Sequence, residues 1–163
     1  MALTNDGQIL SWGTGERGQL GLGLEFLNEI SKPKFIKLSE KIVQIACGTK
    51  HCLALSENGN IWAWGDNSQG QLGIGTFVLA HTPTLVTALQ GRPIKKIVCG
   101  GSHSIALSYS GHAYVWGDNT FGQLGTGDTT KLLRPQILKT ITSKIMDITC
   151  GENHTLALLI DGK

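Results

Sequence analysis

The sequence is poor in charged residues. They make up 16% of the 163 residues, below the roughly 25% of an average globular protein. The net charge is only +2, and the basic residues form no run, which argues against a nucleic-acid partner. No apolar stretch approaches the ~18 residues of a membrane span, and the first residues lack a signal-peptide pattern. We therefore expect a cytoplasmic or nuclear protein with no nucleic-acid partner and no membrane span.

Cysteine is also scarce, whereas glycine is abundant. Only four cysteines are present, against 22 glycines and 40% hydrophobic residues. Three of the cysteines recur at one position of a repeat, too far apart to bridge, so we expect buried thiols in a reducing compartment. Abundant glycine with enough apolar side chains to fill a core indicates a compact, turn-rich β-protein.

One pattern, Trp-Gly followed by Gly-Gln-Leu-Gly, occurs three times at a spacing of 52 residues. A second element, Cys-Gly-x-x-His, keeps nearly the same spacing. A period of this length predicts a propeller, a solenoid or another repeat array. Residues that recur in every unit usually build the unit, so a function needs residues that differ. The recurring residues are Trp12, Trp64 and Trp116; Gly18, Gly70 and Gly122; Cys47, Cys99 and Cys150; and His51, His103 and His154.

Each period contains four strand-like segments, which we name A, B, C and D. In one period they cover residues 41–47, 51–56, 60–65 and 84–89, and in the next 94–99, 103–108, 112–117 and 135–138. Strands B and C are joined by Asn58-Gly59, a strong hairpin signal. The sequence therefore predicts an all-β fold, a partial β-propeller of four-stranded antiparallel blades with two complete blades and two half-blades.

The predicted units divide residues 1–163 as one repeat region. The boundaries lie at about 1–40 (strands C and D), 41–92, 93–140 and 141–163 (strands A and B). This division leads us to expect a fragment or short isoform of a longer propeller. A further hypothesis is that two copies pair head to tail through their complementary half-blades.

The order of these motifs resembles the repeat of the regulator of chromosome condensation (RCC1) superfamily. The best match is CGTKHCLALSENGNIWAWGDNSQGQLGIG at residues 47–75, and the resemblance covers three units across the chain. It implies blades of a propeller that typically has seven. Within the superfamily the chain is most similar to the propeller of HERC-type ubiquitin ligases, which precedes a HECT catalytic domain. No HECT region is present here, so no catalytic residue is transferred.

Gly13-x-Gly15-x-x-Gly18 is a literal match to the dinucleotide-binding fingerprint. That motif needs a helix whose N-terminus meets the pyrophosphate, and Gln-Leu-Gly-Leu-Gly does not start one. Asn67 and Asn119 stand at the position of Gly15 in the other units. Because asparagine tolerates left-handed backbone, we predict a left-handed turn at this position and no cofactor.

The repeated cysteine and histidine admit three interpretations. A zinc site would need four converging ligands, and a Cys–His nucleophile would be needed only once. We favour a structural role, in which the histidine ring bonds backbone near the start of strand B. The tryptophans are predicted to pack against a neighbouring blade with the indole N–H on a carbonyl; the alternative is an exposed binding hot spot. No unrepeated acid, base and nucleophile occur together, so we predict no enzyme.

The loops between strands C and D differ most between units. Loops on a rigid scaffold often carry recognition, and exposed apolar clusters mark partner sites. The alternative is that their apolar residues cover the outer edge of the blade. The candidate partner-binding residues are Glu25, Phe26, Leu27, Phe77, Val78, Asp128 and Leu132.

These observations predict a protein–protein interaction scaffold. On the resemblance, it would be the substrate-binding, partner-binding or regulatory part of a HERC-type ubiquitin ligase. The alternative function is a guanine nucleotide exchange factor or regulator of a small GTPase, for which Asp128 and Glu25 are the candidate acidic residues. The expected partners are thus a ubiquitination substrate or a small GTPase.

Overall fold

The computed structural model describes residues 1–162, which form four antiparallel sheets. Two are complete four-stranded blades, preceded by a three-stranded sheet and followed by a two-stranded one, so the predicted all-β partial propeller is confirmed. The strands are β1 (Ala2–Leu3), β2 (Ile9–Gly13) and β3 (Ile30–Phe35); β4 (Ile42–Cys47), β5 (His51–Ser56), β6 (Ile61–Gly65) and β7 (Ala80–Leu85); β8 (Ile94–Cys99), β9 (His103–Ser108), β10 (Ala113–Gly117) and β11 (Leu132–Ile137); and β12 (Ile145–Cys150) and β13 (Thr155–Leu159). We number these sheets as the first to fourth blades.

Strand D lies earlier in the chain than predicted. It covers Ala80–Leu85 and Leu132–Ile137 instead of residues 84–89 and 135–138. Each of these strands carries a proline at its fourth residue: Pro83, where the predicted C–D loop ended, and Pro135, where the predicted strand D began. Strand D is the edge of its blade, where a missing N–H leaves no ladder partner unsatisfied.

Helical structure within residues 1–162 is limited to two 3₁₀ turns of three residues each. They cover Leu24–Phe26 and Thr87–Leu89. The second turn occupies part of the segment that had been predicted as strand D, and it buries Leu89. No helix in this described part of the chain has the length and apolar character needed to cross a membrane.

The core lies between consecutive blades. Strands β5 and β9 are buried along their whole length, because apolar side chains face both neighbouring sheets. The central cluster joins Leu53 and Ile61 of the second blade to Ile97 and Ala106 of the third. Face-to-face packing of this kind needs small and branched side chains in alternation.

Tryptophan side chains connect each blade to the one before it. The Trp116 ring is fully buried, and its Nε1–H donates to the Gln71 main-chain oxygen at 2.8 Å. Trp64 donates likewise to the Gln19 oxygen at 3.1 Å. Gly73 touches the Trp116 ring so closely that a Cβ would lie 2.8 Å from Nε1. The first and second Gly-Gln-Leu-Gly loops therefore each receive the tryptophan of the next blade.

We predict that Gly73→Ala destabilises the chain more than Gly125→Ala. The two glycines occupy the same repeat position with nearly the same φ, +72° and +71°, so backbone strain is matched. The new methyl group at residue 73 meets the Trp116 ring, whereas at residue 125 its nearest neighbour is Leu138 at 3.7 Å. Urea denaturation should show an extra loss of about 1–3 kcal/mol for Gly73→Ala. Equal losses would contradict the role given to the indole contact.

Candidate partner-binding surface

His51 and His103 are buried and connect successive blades. His51 Nε2 lies 2.9 Å from Ser104 Oγ, and His103 Nε2 lies 3.1 Å from Thr155 Oγ1. Ser104 donates its only proton to the Gln71 oxygen at 2.8 Å, so the proton on Nε2 is the one shared with Ser104. The predicted bond to backbone near the histidine's own strand is therefore wrong, since the partner is a hydroxyl of the next blade.

The Cys-Gly-x-x-His spacing has a steric cause. A Cβ on Gly48 would lie 2.3 Å from His51 Cε1 and 2.5 Å from the Gly100 oxygen, and Gly100 stands in the same relation to His103. Only glycine leaves room for the histidine ring above the turn. This contact requires glycine at the second position of the motif.

The repeated cysteines differ in exposure. Cys99 and Cys150 are half-buried, whereas Cys47 is exposed, so the expectation of buried thiols is wrong for Cys47. His154 is exposed as well. Within residues 1–162, no group of three or more histidine, cysteine or acidic side chains stands close enough together to hold a metal ion.

Burial keeps the two connecting histidines neutral. It lowers the pKa of His51 to about 3 and that of His103 to about 4, from an ordinary value of 6.5. The nearby His103 ring lowers the pKa of His51 further. The Nδ1 atoms of both rings are buried without a hydrogen-bond partner among the described residues, which suits an unprotonated nitrogen.

The glycine-rich segment at residues 13–18 does not have the geometry of a dinucleotide site. Only a three-residue 3₁₀ turn follows it, at Leu24–Phe26. A Cβ on Gly15 would lie 2.5 Å from the Phe26 oxygen, so packing of the loop against itself accounts for this glycine.

Asn67 and Asn119 organise the C–D loops. Neither has a positive φ, a conformation that only glycine adopts among residues 1–162, so the predicted left-handed turn is wrong. The Asn67 side chain instead donates to the main-chain oxygens of Thr76 and Val78 and accepts from Leu72 N–H. Asparagine is present for its amide group, and it fixes the path of the loop.

The candidate loop residues fall into different environments. Phe77 and Val78 are 57% and 70% exposed on the loop that Asn67 fixes. Glu25 is exposed, while Phe26 and Leu27 are half-buried.

Two of the candidates belong to their own blade. The Asp128 carboxylate accepts bonds from Thr130 N–H and the Thr126 hydroxyl, and the bond from Thr130 holds the pKa of Asp128 below its ordinary value. Leu132 begins β11 and packs against two core clusters. Its predicted place in a loop is therefore wrong.

A groove of about 520 Å³ lies between the first C–D loop and strands β3 and β7. The loop is tied to β7 by a hydrogen bond from Gly23 N–H to the His81 oxygen at 3.0 Å. Lys34 Nζ stands 4.8 Å from the centre of the Phe26 ring, and Phe35 is 58% exposed. We call this the rim groove; its lining residues are Gly21, Leu22, Glu25, Phe26, Lys34, Phe35, Lys37 and Thr82.

Several residues of the rim groove differ between units. Phe35 ends β3, where β7 and β11 end in Leu85 and Ile137. Thr82 is replaced in the third blade by Arg134, whose guanidinium lies against Gly75. The sequence predictions found Glu25 and Phe26 but missed Phe35, because the first C–D loop was predicted to end at Lys34. Comparing strand ends between repeats could have found it.

Phe121 is a second exposed aromatic residue that the sequence predictions missed. It is 71% exposed and lies just before the third Gly-Gln-Leu-Gly loop. The other units carry Arg17 and Gln69 at this position, so comparison of the repeats holds the signal.

These features define a β-propeller segment in which successive blades are joined by a tryptophan, a histidine or both. The family model of the RCC1-like domain matches residues 1–163. The chain belongs to this family, and the predicted resemblance is confirmed. Its two complete blades and two partial sheets are therefore a segment of an RCC1-like propeller.

Known relatives share the repeat across nearly the whole chain. It is 40% identical over 173 aligned residues to the human probable E3 ubiquitin-protein ligase HERC6, covering 100% of this chain. It is 37% identical over 166 residues to the ultraviolet-B receptor UVR8 of Arabidopsis thaliana, again over 100% of this chain. The structure of Prp20p from Saccharomyces cerevisiae matches with a TM-score of 0.85 at 27% identity, covering 96% of this chain and 40% of Prp20p. The chain spans only 16% of the length of HERC6 and 37% of that of UVR8.

We predict that stability falls below pH 6.5 because of His51 and His103. Both pKa values are lowered by folding, so the unfolded chain takes up protons first as the pH falls. Their stabilisation is complete above about pH 6.5 and is lost as the pH falls towards 4 and 3. Urea denaturation between about pH 7.5 and 4.5 should show a loss approaching about 1.4 kcal/mol per pH unit for each histidine.

The controls are His51→Gln and His103→Gln, since glutamine keeps an N–H donor for the hydroxyl of the next blade. Each variant should remove roughly half of the slope in this range. A variant that lowers stability equally at every pH, with the slope unchanged, would contradict the assignment.

Proposed function

We propose that this chain is the partner-binding part of a HERC-type ubiquitin ligase, and that the rim groove holds a segment of the partner protein. The observation that carries the proposal is the groove itself, whose Glu25, Phe26, Phe35 and Thr82 are replaced by other residues in the other units. The identity with HERC6 across the whole chain supports the assignment to this kind of ligase. The catalytic step would belong to another domain.

The chemistry of the groove favours a short segment with an apolar side chain beside an acidic one. Phe26 and Phe35 supply apolar walls, and Lys34 and Lys37 supply positive charge. Glu25 stands at the same groove and would disfavour a segment with several acidic residues. Aromatic walls with a few charged groups are typical of sites that give both affinity and orientation.

We further propose a cytoplasmic or nuclear location. All four cysteines are unpaired thiols, as expected where the surroundings are reducing. Fractionation of cells that express the tagged chain would test the location, and recovery from the secretory pathway would contradict it.

We predict that Phe35→Ser abolishes selection of groove-binding peptides from a displayed peptide library. The unchanged chain should enrich peptides that combine an acidic residue with a large apolar one. Phe35→Ser should weaken their binding by about tenfold or more, because an aromatic wall is lost. The affinity of individual peptides can be measured by fluorescence anisotropy.

The matched control is Ile137→Ser, which changes the last residue of the equivalent strand, β11, away from the groove. It should leave peptide affinity within about twofold. If Ile137→Ser weakens binding as much as Phe35→Ser, or if neither variant does, the groove is not the site.

The second candidate function is regulation of a small GTPase. It is supported by the similarity to Prp20p, whose structure was reported with its binding properties to Gsp1p and histones. Of the two candidate acidic residues, Asp128 is engaged by its own loop, which leaves Glu25 as the one free to face a partner.

For this function we predict that small amounts of the chain accelerate release of labelled GDP from at least one member of a GTPase panel. Glu25→Gln should reduce the acceleration, and Asp128→Asn should not. If every GTPase of the panel releases GDP at its intrinsic rate, this second function is wrong, and the peptide-binding proposal is unaffected.

A further inference from the structure

The second blade contains two cysteines that face each other across neighbouring strands. Cys47 ends β4 and Cys52 follows the first residue of β5, and they are direct partners in the register. Gly48 N–H bonds the His51 oxygen at the turn, so residues 48 and 51 form the hydrogen-bonded pair. The pair of Cys47 and Cys52 is then of the non-hydrogen-bonded type, with Cα atoms about 4.5 Å apart, a separation that a disulfide can span.

The two sulfur atoms are already close. Cys52 Sγ lies 3.9 Å from Cys47 Sγ and 3.4 Å from the Gln19 oxygen of the first blade. Cys47 is exposed and Cys52 is buried, so reagents in solution reach the first thiol before the second.

The pair occurs in one blade only. Cys99 faces Ser104, and Cys150 faces Thr155. The third and fourth blades thus carry a hydroxyl residue, Ser104 or Thr155, at the position of Cys52. Each hydroxyl donates a hydrogen bond to the Gly-Gln-Leu-Gly loop of the preceding blade. A second thiol is not needed to build the blade.

We propose that Cys47 and Cys52 form a thiol modification site, in which a peroxide oxidises Cys47 and Cys52 then closes a disulfide. This inference goes beyond the proposed function and does not depend on it.

The electrostatics suit this order of events. Cys52 has a single proton, which it can donate either to the Gln19 oxygen or to the Cys47 sulfur. When it donates to the sulfur, the pKa of Cys47 falls to about 7, so part of the Cys47 population is thiolate at neutral pH. The same hydrogen bond and burial raise the pKa of Cys52. Burial also raises the pKa of Cys99, and that of Cys150 to about 11.

The reaction has two steps. The Cys47 thiolate attacks one oxygen of hydrogen peroxide, the O–O bond breaks, and with one proton from solvent the products are a sulfenic acid and water. The Cys52 sulfur then attacks the Cys47 sulfur as it loses its proton, and the sulfenic hydroxyl leaves with that proton as a second water. The two cysteines lose two electrons in total, and the peroxide gains them.

Oxidation would change the junction between the first two blades. Cys52 would no longer have a proton for the Gln19 oxygen, which then keeps only the indole N–H of Trp64. The disulfide itself closes a very short loop, so its direct effect on the unfolded chain is small.

The test is brief treatment of the whole chain with hydrogen peroxide at neutral pH, followed by thiol blocking and peptide mass mapping. The expected product is a Cys47–Cys52 disulfide, with Cys99 and Cys150 still blocked as free thiols. Before oxidation, Cys47 should react with iodoacetamide more than about tenfold faster than Cys150 at pH 7. A different disulfide, or no disulfide while the thiols are oxidised equally, would overturn the proposal.

Cys52→Ser provides the control, since the third blade carries serine at this position. This variant should stop at the sulfenic acid on Cys47, which dimedone traps, and alkylation of Cys47 should require a higher pH. Reduction of the unchanged chain with dithiothreitol should restore both thiols. If Cys52→Ser alters neither the trapping nor the pH dependence, Cys52 takes no part and the inference is wrong.

Discussion

The hydrogen bond from the tryptophan indole of one blade to a main-chain oxygen of the blade before it organises this structure. Trp64 and Trp116 each make this bond, and each ring packs against a glycine at which a Cβ would collide with it. The oxygen is shared, because Cys52 and Ser104 donate to the same two atoms. A buried oxygen with two donors is fully satisfied, so the junction places polar groups inside the core without the cost of leaving them unpaired.

The junctions between blades determine which side chains remain available to contact a partner. The most conspicuous side chains, the tryptophans and histidines of the repeat, are used to join blades. Trp12, which no earlier loop receives within residues 1–162, is 42% exposed, whereas Trp64 and Trp116 are fully buried. The positions where the repeats diverge take no part in these junctions, and Phe26, Phe35 and Thr82 of the rim groove are among them.

Sequence could predict the elements that local patterns determine. Strands β5 and β9 follow from unbroken apolar runs after a tight turn, and the propeller follows from the period. The first residue of strand D could not be predicted. A proline such as Pro83 indicates a loop unless the strand is known to lie at the edge of its sheet. The partner of His51 was also beyond reach, since Ser104 lies 53 residues away. The groove was beyond reach for a similar reason, since Phe35 of one blade and Thr82 of the next line it together and no single repeat contains both.

The acceptor in each junction is the peptide backbone, although the residue that carries it is a glutamine. Every residue type offers that same oxygen, so the glutamine side chain serves its own loop and the contact with the next blade does not depend on it. A substitution of Gln71 would therefore remove the side-chain bonds within its own loop and still leave the acceptor for the Trp116 indole in place.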